Sequence, residues 1–339
     1  MLDTQTRWLY KDVDPTRTEA LARARRISPL TAHLVLARGI DDPDAVAAFL
    51  QPKLSHLHPP GDMPDMDAAV RTIREAVHRG DRITVYGDYD VDGLTASAIV
   101  LECLALMGAD VHHYIPHRID EGYGLSEDAV RTLAAEGTKL IVTVDCGVSA
   151  IGPARLAKEL GMRMVVTDHH EVGDALPEAE AVVNVHRRDS AYPFTGLAGV
   201  GVAFKVCWAL ADSLSPGAKV QPKFRQFLLD ALALVALGTI ADIVPLVDEN
   251  RVLVKSGLTY LAQSRRPGLQ ALRSVARLAD AVPSPWDVAF KLAPRLNAAG
   301  RMEHGEKALE LLMTRDRHRA ATIAAELNQA NTDRQELQK

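Results

Sequence analysis

The sequence has few aromatic residues and no long hydrophobic run. Aromatic residues make up 5% of the 339 residues, and the longest run made only of hydrophobic residues, Ala231–Leu237, has seven members. A membrane-spanning helix needs roughly 18 or more such residues, so no span and no membrane partner are predicted. The amino-terminal MLDTQTRWLYKDVD has no apolar segment, and we expect no signal peptide.

Cysteine is also scarce. The three cysteines, Cys103, Cys146 and Cys207, are odd in number and widely spaced, which is typical of thiols that stay reduced in a cytosol. We therefore expect a cytoplasmic protein without a disulfide scaffold. The net charge of −5 excludes a globally basic nucleic-acid binder. It does not exclude a local basic groove, because steering depends on where the charges lie.

The pattern of apolar and β-branched residues changes along the chain. Residues 1–80 are predicted to form a helical amino-terminal segment, and in residues 81–215 short β-branched runs alternate with helical stretches. This alternation predicts βαβ units and an α/β fold, a Rossmann-like parallel sheet flanked by helices. Residues 216–315 are mainly helical, and residues 316–339 form a polar helix in which Ile323 and Leu327 have no visible partner.

An acidic segment follows the first predicted strand. It contains Asp88, Asp90 and Asp92 at alternate positions, which places their side chains on one face of an extended segment. Three such carboxylates repel one another unless a cation compensates them. An EF-hand loop would need a glutamate at its twelfth position, where this chain has Ile99, so that interpretation is excluded. From this motif alone, a solvated acidic turn remains an alternative.

Two later strands also end in polar residues. Asp145 follows one predicted strand, and Asp168, His169 and His170 follow the next. The carboxyl ends of parallel strands meet at one edge of a sheet, so these groups are expected to converge with the acidic segment. Oxygen and imidazole ligands suit Mn²⁺ or Mg²⁺ better than Zn²⁺, and the carboxylates suffice for two ions that share one bridging ligand.

These motifs together resemble those of the DHH phosphoesterase superfamily. Two later stretches, Gly238–Leu246 and Pro294–Met302, resemble the bacterial RecJ exonucleases specific for single-stranded DNA. The resemblance runs from about Ser28 to the end of the chain. It implies that residues 81–215 form a DHH phosphoesterase domain and that residues 216–315 complete the catalytic core. Residues 316–339 would then begin a long connecting helix, with the family's downstream domains absent.

The resemblance also implies a role for each site residue. Asp90 and Asp92 would bind different ions of a pair of Mn²⁺ or Mg²⁺ ions, Asp145 would bridge them, His169 would bind the second ion and Asp242 would complete the first. Asp88 and His170 would be catalytic, and Asp168 would orient His169 without binding an ion. The expected phosphate-binding residues are Arg118, Arg295, Asn297 and Arg301.

The function implied is a metal-dependent 5′-to-3′ exonuclease core that hydrolyses single-stranded DNA in repair and recombination. Single-strand-binding protein and a repair helicase are further expected partners, and the oligomeric state is left open. One alternative is a DHH phosphodiesterase of small nucleotides such as cyclic dinucleotides or nanoRNA. Another is an inactive DHH scaffold, which is disfavoured because every expected ligand position retains Asp or His.

Overall fold

The computed structural model describes residues 9–117, 122–215, 217, 220–299 and 305–337. The chain divides into two compact units, Met1–His56 and Leu57–Lys339. Expected residues Arg118 and Arg301 lie outside the described residues.

The first unit is helical. Its helices are α1 (Pro15–Arg25), α2 (Pro29–Leu36) and α3 (Pro43–Leu50), followed by a 3₁₀ turn at Leu54–His56. Each α-helix begins at a proline, and the side chain of the preceding Asp14, Ser28 or Asp42 accepts a backbone N–H of the first turn. Proline suits this position because its missing N–H would have no partner within the helix. The small core of this unit consists of Leu21, Ala22, Ala32, Val35 and Val46.

The second unit contains the sheet. Its strands are β1 (Ile83–Gly87), β2 (Val111–Tyr114), β3 (Leu140–Val144), β4 (Arg163–Thr167) and β5 (Ala181–Val183). Its helices are α4 (Met66–Arg79), α5 (Val91–Leu106), α6 (Glu127–Ala135), α7 (Ile151–Glu159), α8 (Gly199–Ser213), α9 (Pro222–Ala241), α10 (Asp248–Gln263), α11 (Pro267–Val275), α12 (Pro285–Asp287), α13 (Ala293–Ala299), α14 (Gly305–Met313) and α15 (Arg317–Leu337). A 3₁₀ turn at Pro60–Asp62 precedes α4, and a π-helical turn at Val288–Leu292 joins α12 to α13.

The division between the units lies at residue 56, whereas the sequence predicts a boundary at residue 80. The difference arises from α4, which contacts β4, β5 and α8. Its buried face, which includes Met66, Ala69 and Ile73, belongs to the main core of the second unit.

Within the described residues the sheet has five strands, all parallel, in the order β2-β1-β3-β4-β5. The predicted α/β class is therefore confirmed. The chain leaves β1 towards β2 on one side and later returns to β3 on the other. In such sheets the reversal opens a crevice at the carboxyl ends of the two strands between which the order reverses, here β1 and β3.

Both faces of the sheet are covered, which explains why its strands are apolar at nearly every position. Val85 and Val142 face the larger core, formed with helices such as α5, α8 and α9. Tyr86 and Ile141 face a smaller core that also contains buried residues of α6 and α7.

Helix α9 is apolar along most of its length. Among the described residues it is the helix long and apolar enough to cross a membrane. Its most apolar 18-residue segment has a mean hydropathy of 1.5, but 67% of that segment is buried inside the protein. It contacts α5, α8 and α10, as a core helix does.

Helix α15 packs on its own chain. Ile323 and Leu327 are buried in the same core as Leu269 and Leu272 of α11. The expectation that these two residues lack a partner is therefore wrong, because α11 and α13, which are distant in sequence, fold against them.

Candidate metal centre

The acidic segment forms the turn between β1 and α5. Asp90 caps α5, its Oδ1 accepting the N–H groups of Asp92 at 2.8 Å and Gly93 at 3.1 Å. Asp88 and Asp92 are buried, 4% and 1% exposed. A Cβ at Gly93 would lie 2.6 Å from the carbonyl oxygen of Asp88, so glycine is needed where the turn closes.

A second acid is held at the end of β3. Asp145 is 2% exposed and has a backbone φ of +60°, in the left-handed region that Asp and Asn tolerate better than most residues. Gly147 follows with a φ of +105°. This tight turn directs the Asp145 carboxylate towards the crevice between β1 and β3.

The histidines after β4 are arranged by Asp168. Its Oδ1 accepts the N–H groups of His169 and His170, and His170 Nδ1 lies 2.7 Å from the same oxygen. Asp168 Oδ2 accepts the N–H of Val148 at 2.9 Å. The resemblance implies that Asp168 orients His169. The Asp168 carboxylate accepts the backbone N–H of His169, and the imidazole ring that it contacts is that of His170.

The three strand ends meet around His169. Its Nε2 lies 3.1 Å from Asp145 Oδ1, 3.8 Å from Asp92 Oδ2 and 3.7 Å from Asp242 Oδ2. Among the described residues, three groups each bring one potential ligand atom per residue within 4.8 Å of one another. These groups are Asp92, His169 and Asp242; Asp88, Asp90 and Asp145; and Asp145, His169 and His170.

This grouping differs in one respect from the arrangement that the resemblance implies. Asp145 occurs in two groups, as a bridging ligand would. Asp242, at the carboxyl end of α9, lies with His169 and Asp92, whereas the resemblance assigns Asp242 and His169 to different ions.

Two glycines allow the acids to approach one another. The N–H groups of Gly199 and Val200, at the start of α8, donate to the Asp92 carboxylate at 2.6 and 2.9 Å. A Cβ at Gly199 would lie 2.3 Å from Asp145 Oδ1, and one at Gly238 would lie 2.7 Å from Asp92 Oδ1. A helix amino terminus stabilises an anion, and the anion here is the carboxylate of Asp92.

Burial and mutual repulsion oppose full ionisation of the acids. Burial, together with the charges of nearby aspartates, raises the pKa of Asp92 and of Asp145 well above the ordinary range. Burial and the charge of Asp90 raise the pKa of Asp242 to about 6. Burial lowers the pKa of His169 to about 4, aided by the neighbouring His170, so the imidazole is neutral near pH 7 with a lone pair available.

The site has the donor set of a cation site. Asp145 Oδ1, His169 Nε2 and Asp242 Oδ2 are buried and have no hydrogen-bond partner among the described residues. Buried polar atoms without partners are costly, and here these atoms face one another. A divalent cation would satisfy all three and offset the repulsion between the carboxylates, so these residues fit such an ion.

His170 lies at the exposed side of the site. Its ring Nδ1 is 3.1 Å from the hydroxyl of Tyr123. The hydrogen bond to Asp168 raises the pKa of His170, although its partial burial opposes this. The pKa of Asp168 is lowered, because hydrogen bonds from His170 and backbone N–H groups outweigh its burial. Asp168 and His170 therefore form a polarised pair next to the neutral His169.

The expected phosphate-binding residues within the described part of the chain have protein partners. Asn297 Oδ1 accepts the N–H of Val91 at 3.2 Å, inside the acidic segment. Arg295 Nε donates to Asn328 Oδ1 at 3.0 Å, and another guanidinium nitrogen donates to the carbonyl of Lys291.

Sequence reasoning missed two supports of the site. The hydrogen bonds from Gly199 and Val200 to Asp92 join residues more than 100 positions apart and become visible only in the fold. Asn250 is fully buried, and its Nδ2 donates to the carbonyls of Gly196 and Pro245. It thereby joins the loop before α8 to the loop after Asp242, and nothing in the local sequence distinguishes it.

Known proteins resemble this chain in sequence. Residues 82–239 match the family described as DHH family, N-terminal domain. A single-stranded-DNA-specific exonuclease RecJ from Bacillus subtilis (strain 168) is 40% identical over 337 residues, which are 99% of this chain and 41% of that protein. The chain therefore spans less than half the length of this curated relative.

Solved structures are similar as well. The crystal structure of an exonuclease RecJ bound to manganese has a TM-score of 0.74 and 39% identity, and the match covers 84% of this chain and 69% of that one. RecJ from Thermus thermophilus in complex with Mn²⁺ has a TM-score of 0.81 and 34% identity, covering 98% of this chain and 46% of that one. Its complex with Mg²⁺ has a TM-score of 0.73 and 32% identity, covering 98% and 43%.

Proposed function

Because the chain belongs to the DHH family and, within it, to the RecJ group, we propose that it is the catalytic part of a metal-dependent exonuclease. Its substrate would be single-stranded DNA, degraded from the 5′ end in repair and recombination. Single-strand-binding protein and a repair helicase are proposed partners. We also propose a cytoplasmic location, consistent with the three buried cysteines, none of which is in a disulfide among the described residues.

The observation that carries this proposal is the set of partnerless buried atoms on Asp145, His169 and Asp242. Such a set is costly in a protein that binds no cation, and an inactive scaffold would have no need to keep it. The site also lies where α/β sheets bind their ligands.

We assign the ligands from the groups of residues whose potential ligand atoms lie close together. Asp92, His169 and Asp242 would hold one divalent ion, Mn²⁺ or Mg²⁺, and Asp88 and Asp90 would contribute to a second. Asp145 would be shared, since it groups with Asp88 and Asp90 and its Oδ1 lies 3.1 Å from His169 Nε2. When bound, two such ions activate water for attack on a phosphodiester and offset the charge that develops on the phosphate.

The chain's own residues would position the substrate. Asp168 holds the ring of His170 at the open side of the site, where an imidazole with a raised pKa can donate a hydrogen bond to a phosphate oxygen. Arg118, Arg295, Asn297 and Arg301 remain the proposed contacts to further phosphates. Asn297 contacts the acidic segment through the N–H of Val91.

The test compares substrates in one assay. The chain is incubated with Mn²⁺ and 5′-labelled single-stranded DNA, a cyclic dinucleotide or a short RNA. We expect release of short products from the DNA, and cleavage of the small nucleotides alone would contradict the proposal. Asp145→Asn keeps the backbone conformation and should abolish hydrolysis and reduce the number of Mn²⁺ ions bound, measured by calorimetry. The control is Asp174→Asn, at a fully exposed position.

A further inference from the structure

A pocket of about 260 Å³ opens beside the candidate metal centre. Ile243, on its wall, directly follows the proposed ligand Asp242 in the chain. Asn297, which also lines the pocket, accepts the N–H of Val91, between Asp90 and Asp92. The pocket is therefore adjacent to the site, and the metal ligands do not line it.

The pocket has an exposed aromatic wall. Phe290 lines the pocket with 62% of its surface exposed. Trp286 lies next to Phe290 and is 58% exposed. Their ring centroids are 5.3 Å apart. The π-helical turn directs Val288 and Leu292 into the core and leaves Phe290 outside. Turns of this kind are frequent at functional sites.

The rim of the pocket is cationic. Arg334 of α15 lines it, and its Nε is buried without a hydrogen-bond partner among the described residues. Lys291 Nζ, which is paired with Asp287 at 2.7 Å, lies 5.3 Å from the centroid of the Trp286 ring. An open aromatic surface with an arginine at its edge complements a flat ring attached to an anionic backbone, the combination found in single-strand binders.

We propose that this pocket binds an unstacked nucleobase of single-stranded DNA, next to the phosphate at the metal centre, with the base stacked on Phe290. This rests on the proposed function and adds a base-binding site to it. Ile243 also lines the pocket, is 87% exposed and would add an apolar contact to the base. Stacking on Phe290 tolerates any base, so the site would add affinity without sequence preference.

The experiment separates the base from the backbone. Binding of a fluorescent phosphorothioate single strand, which resists hydrolysis, is compared with binding of an abasic strand of equal length in Mn²⁺. Stacking of one base is worth roughly five- to 150-fold in affinity. We therefore expect the wild type to prefer the base-containing strand, and Phe290→Ala to reduce this preference about fivefold or more.

Matched variants make the result specific. Phe290→Tyr keeps the ring and should keep the preference, whereas Phe290→Leu keeps an apolar side chain and should lose it. Leu160→Ala, 44% exposed at the end of α7, is the control. All variants should bind Mn²⁺ as the wild type does, because Phe290 is in none of the ligand groups.

Two contrary outcomes can be told apart. If Phe290→Ala or Phe290→Leu retains the full preference while the wild type still hydrolyses single-stranded DNA, the base pocket is wrong and the proposed function stands. If the wild type neither binds nor hydrolyses single-stranded DNA, both proposals fail.

Discussion

The N–H of Gly199 donates to Asp92 Oδ2 at 2.6 Å, and the missing side chain of Gly199 is what leaves room for Asp145. One residue thus holds one proposed ligand and makes space for another. The start of α8 is therefore part of the proposed metal centre, although neither Gly199 nor Val200 offers an atom to an ion.

Gly199→Ala should weaken metal binding without unfolding the chain. The new Cβ would lie 2.3 Å from Asp145 Oδ1, so the carboxylate must move. Changes to residues that support metal ligands typically cost about 10- to 100-fold in affinity, and we expect a loss of that size for Mn²⁺ in calorimetry. Gly173→Ala, where a Cβ would meet nothing within 4 Å, is the control. Equal Mn²⁺ affinity in both variants would refute the crowding argument.

Asp242→Asn should stabilise the metal-free protein above pH 6. The raised pKa of Asp242, about 6, means that this carboxyl contributes stability while protonated and loses that contribution as the pH rises from about 4 through 6. The Tm advantage of the variant over the wild type in EDTA should therefore grow across this range. With Mn²⁺ the order should reverse near pH 7, because only the wild type keeps the full ligand set. A pH-independent Tm difference would contradict this view.

Glu249→Ala should be among the most destabilising single changes outside the metal centre. Glu249 and Lys205 are fully buried, and the Glu249 carboxylate accepts from the Lys205 ammonium and the Tyr192 hydroxyl. Breaking a buried pair leaves an uncompensated charge and costs about 3–5 kcal/mol, measurable as a lower urea midpoint. Glu306→Ala, at an exposed position, should change little. The double variant Lys205→Met/Glu249→Leu should recover most of the lost stability. If it does not, the two residues stabilise the protein by more than neutralising each other's charge.

Arg118→Ala should reduce the salt dependence of single-stranded DNA binding. Removal of one cation that binds a phosphate lowers the slope of log affinity against log salt by about 0.7 for single strands. Mn²⁺ binding should be unchanged, since an arginine is no metal ligand. Arg155→Ala, an exposed arginine of α7, serves as the control. An identical slope in wild type and Arg118→Ala would show that Arg118 does not bind a phosphate of the DNA.

Local patterns predicted much of the fold and of the candidate site. Apolar β-branched runs located the strands. The rule that parallel strands end at one edge predicted that Asp92 and Asp145 lie close to His169, and both do. The sequence does not reveal pairings over long separations. Lys205 looks like a misplaced charge in an apolar helix until Glu249, 44 residues later, is packed against it.

The aromatic wall illustrates the same limit. The sequence contains few aromatic residues and no segment in which they are interleaved with basic ones, so no base-stacking surface is expected. Trp286 and Phe290, four residues apart, resemble the buried stripe of an ordinary helix. The π-helical turn changes which side chains face inward, and a one-residue change in helical phase cannot be read from hydrophobic spacing.

The left-handed backbone at Asp145 also limits which residues can replace it during evolution. Glycine, asparagine and aspartate are the residues that adopt this conformation readily. A replacement by asparagine would remove the charge without disturbing the turn, whereas most other replacements would strain the backbone as well. Descendants that keep the architecture and abandon the chemistry are therefore expected to carry asparagine or glycine at this position, which makes it the first place to look for an inactive paralogue.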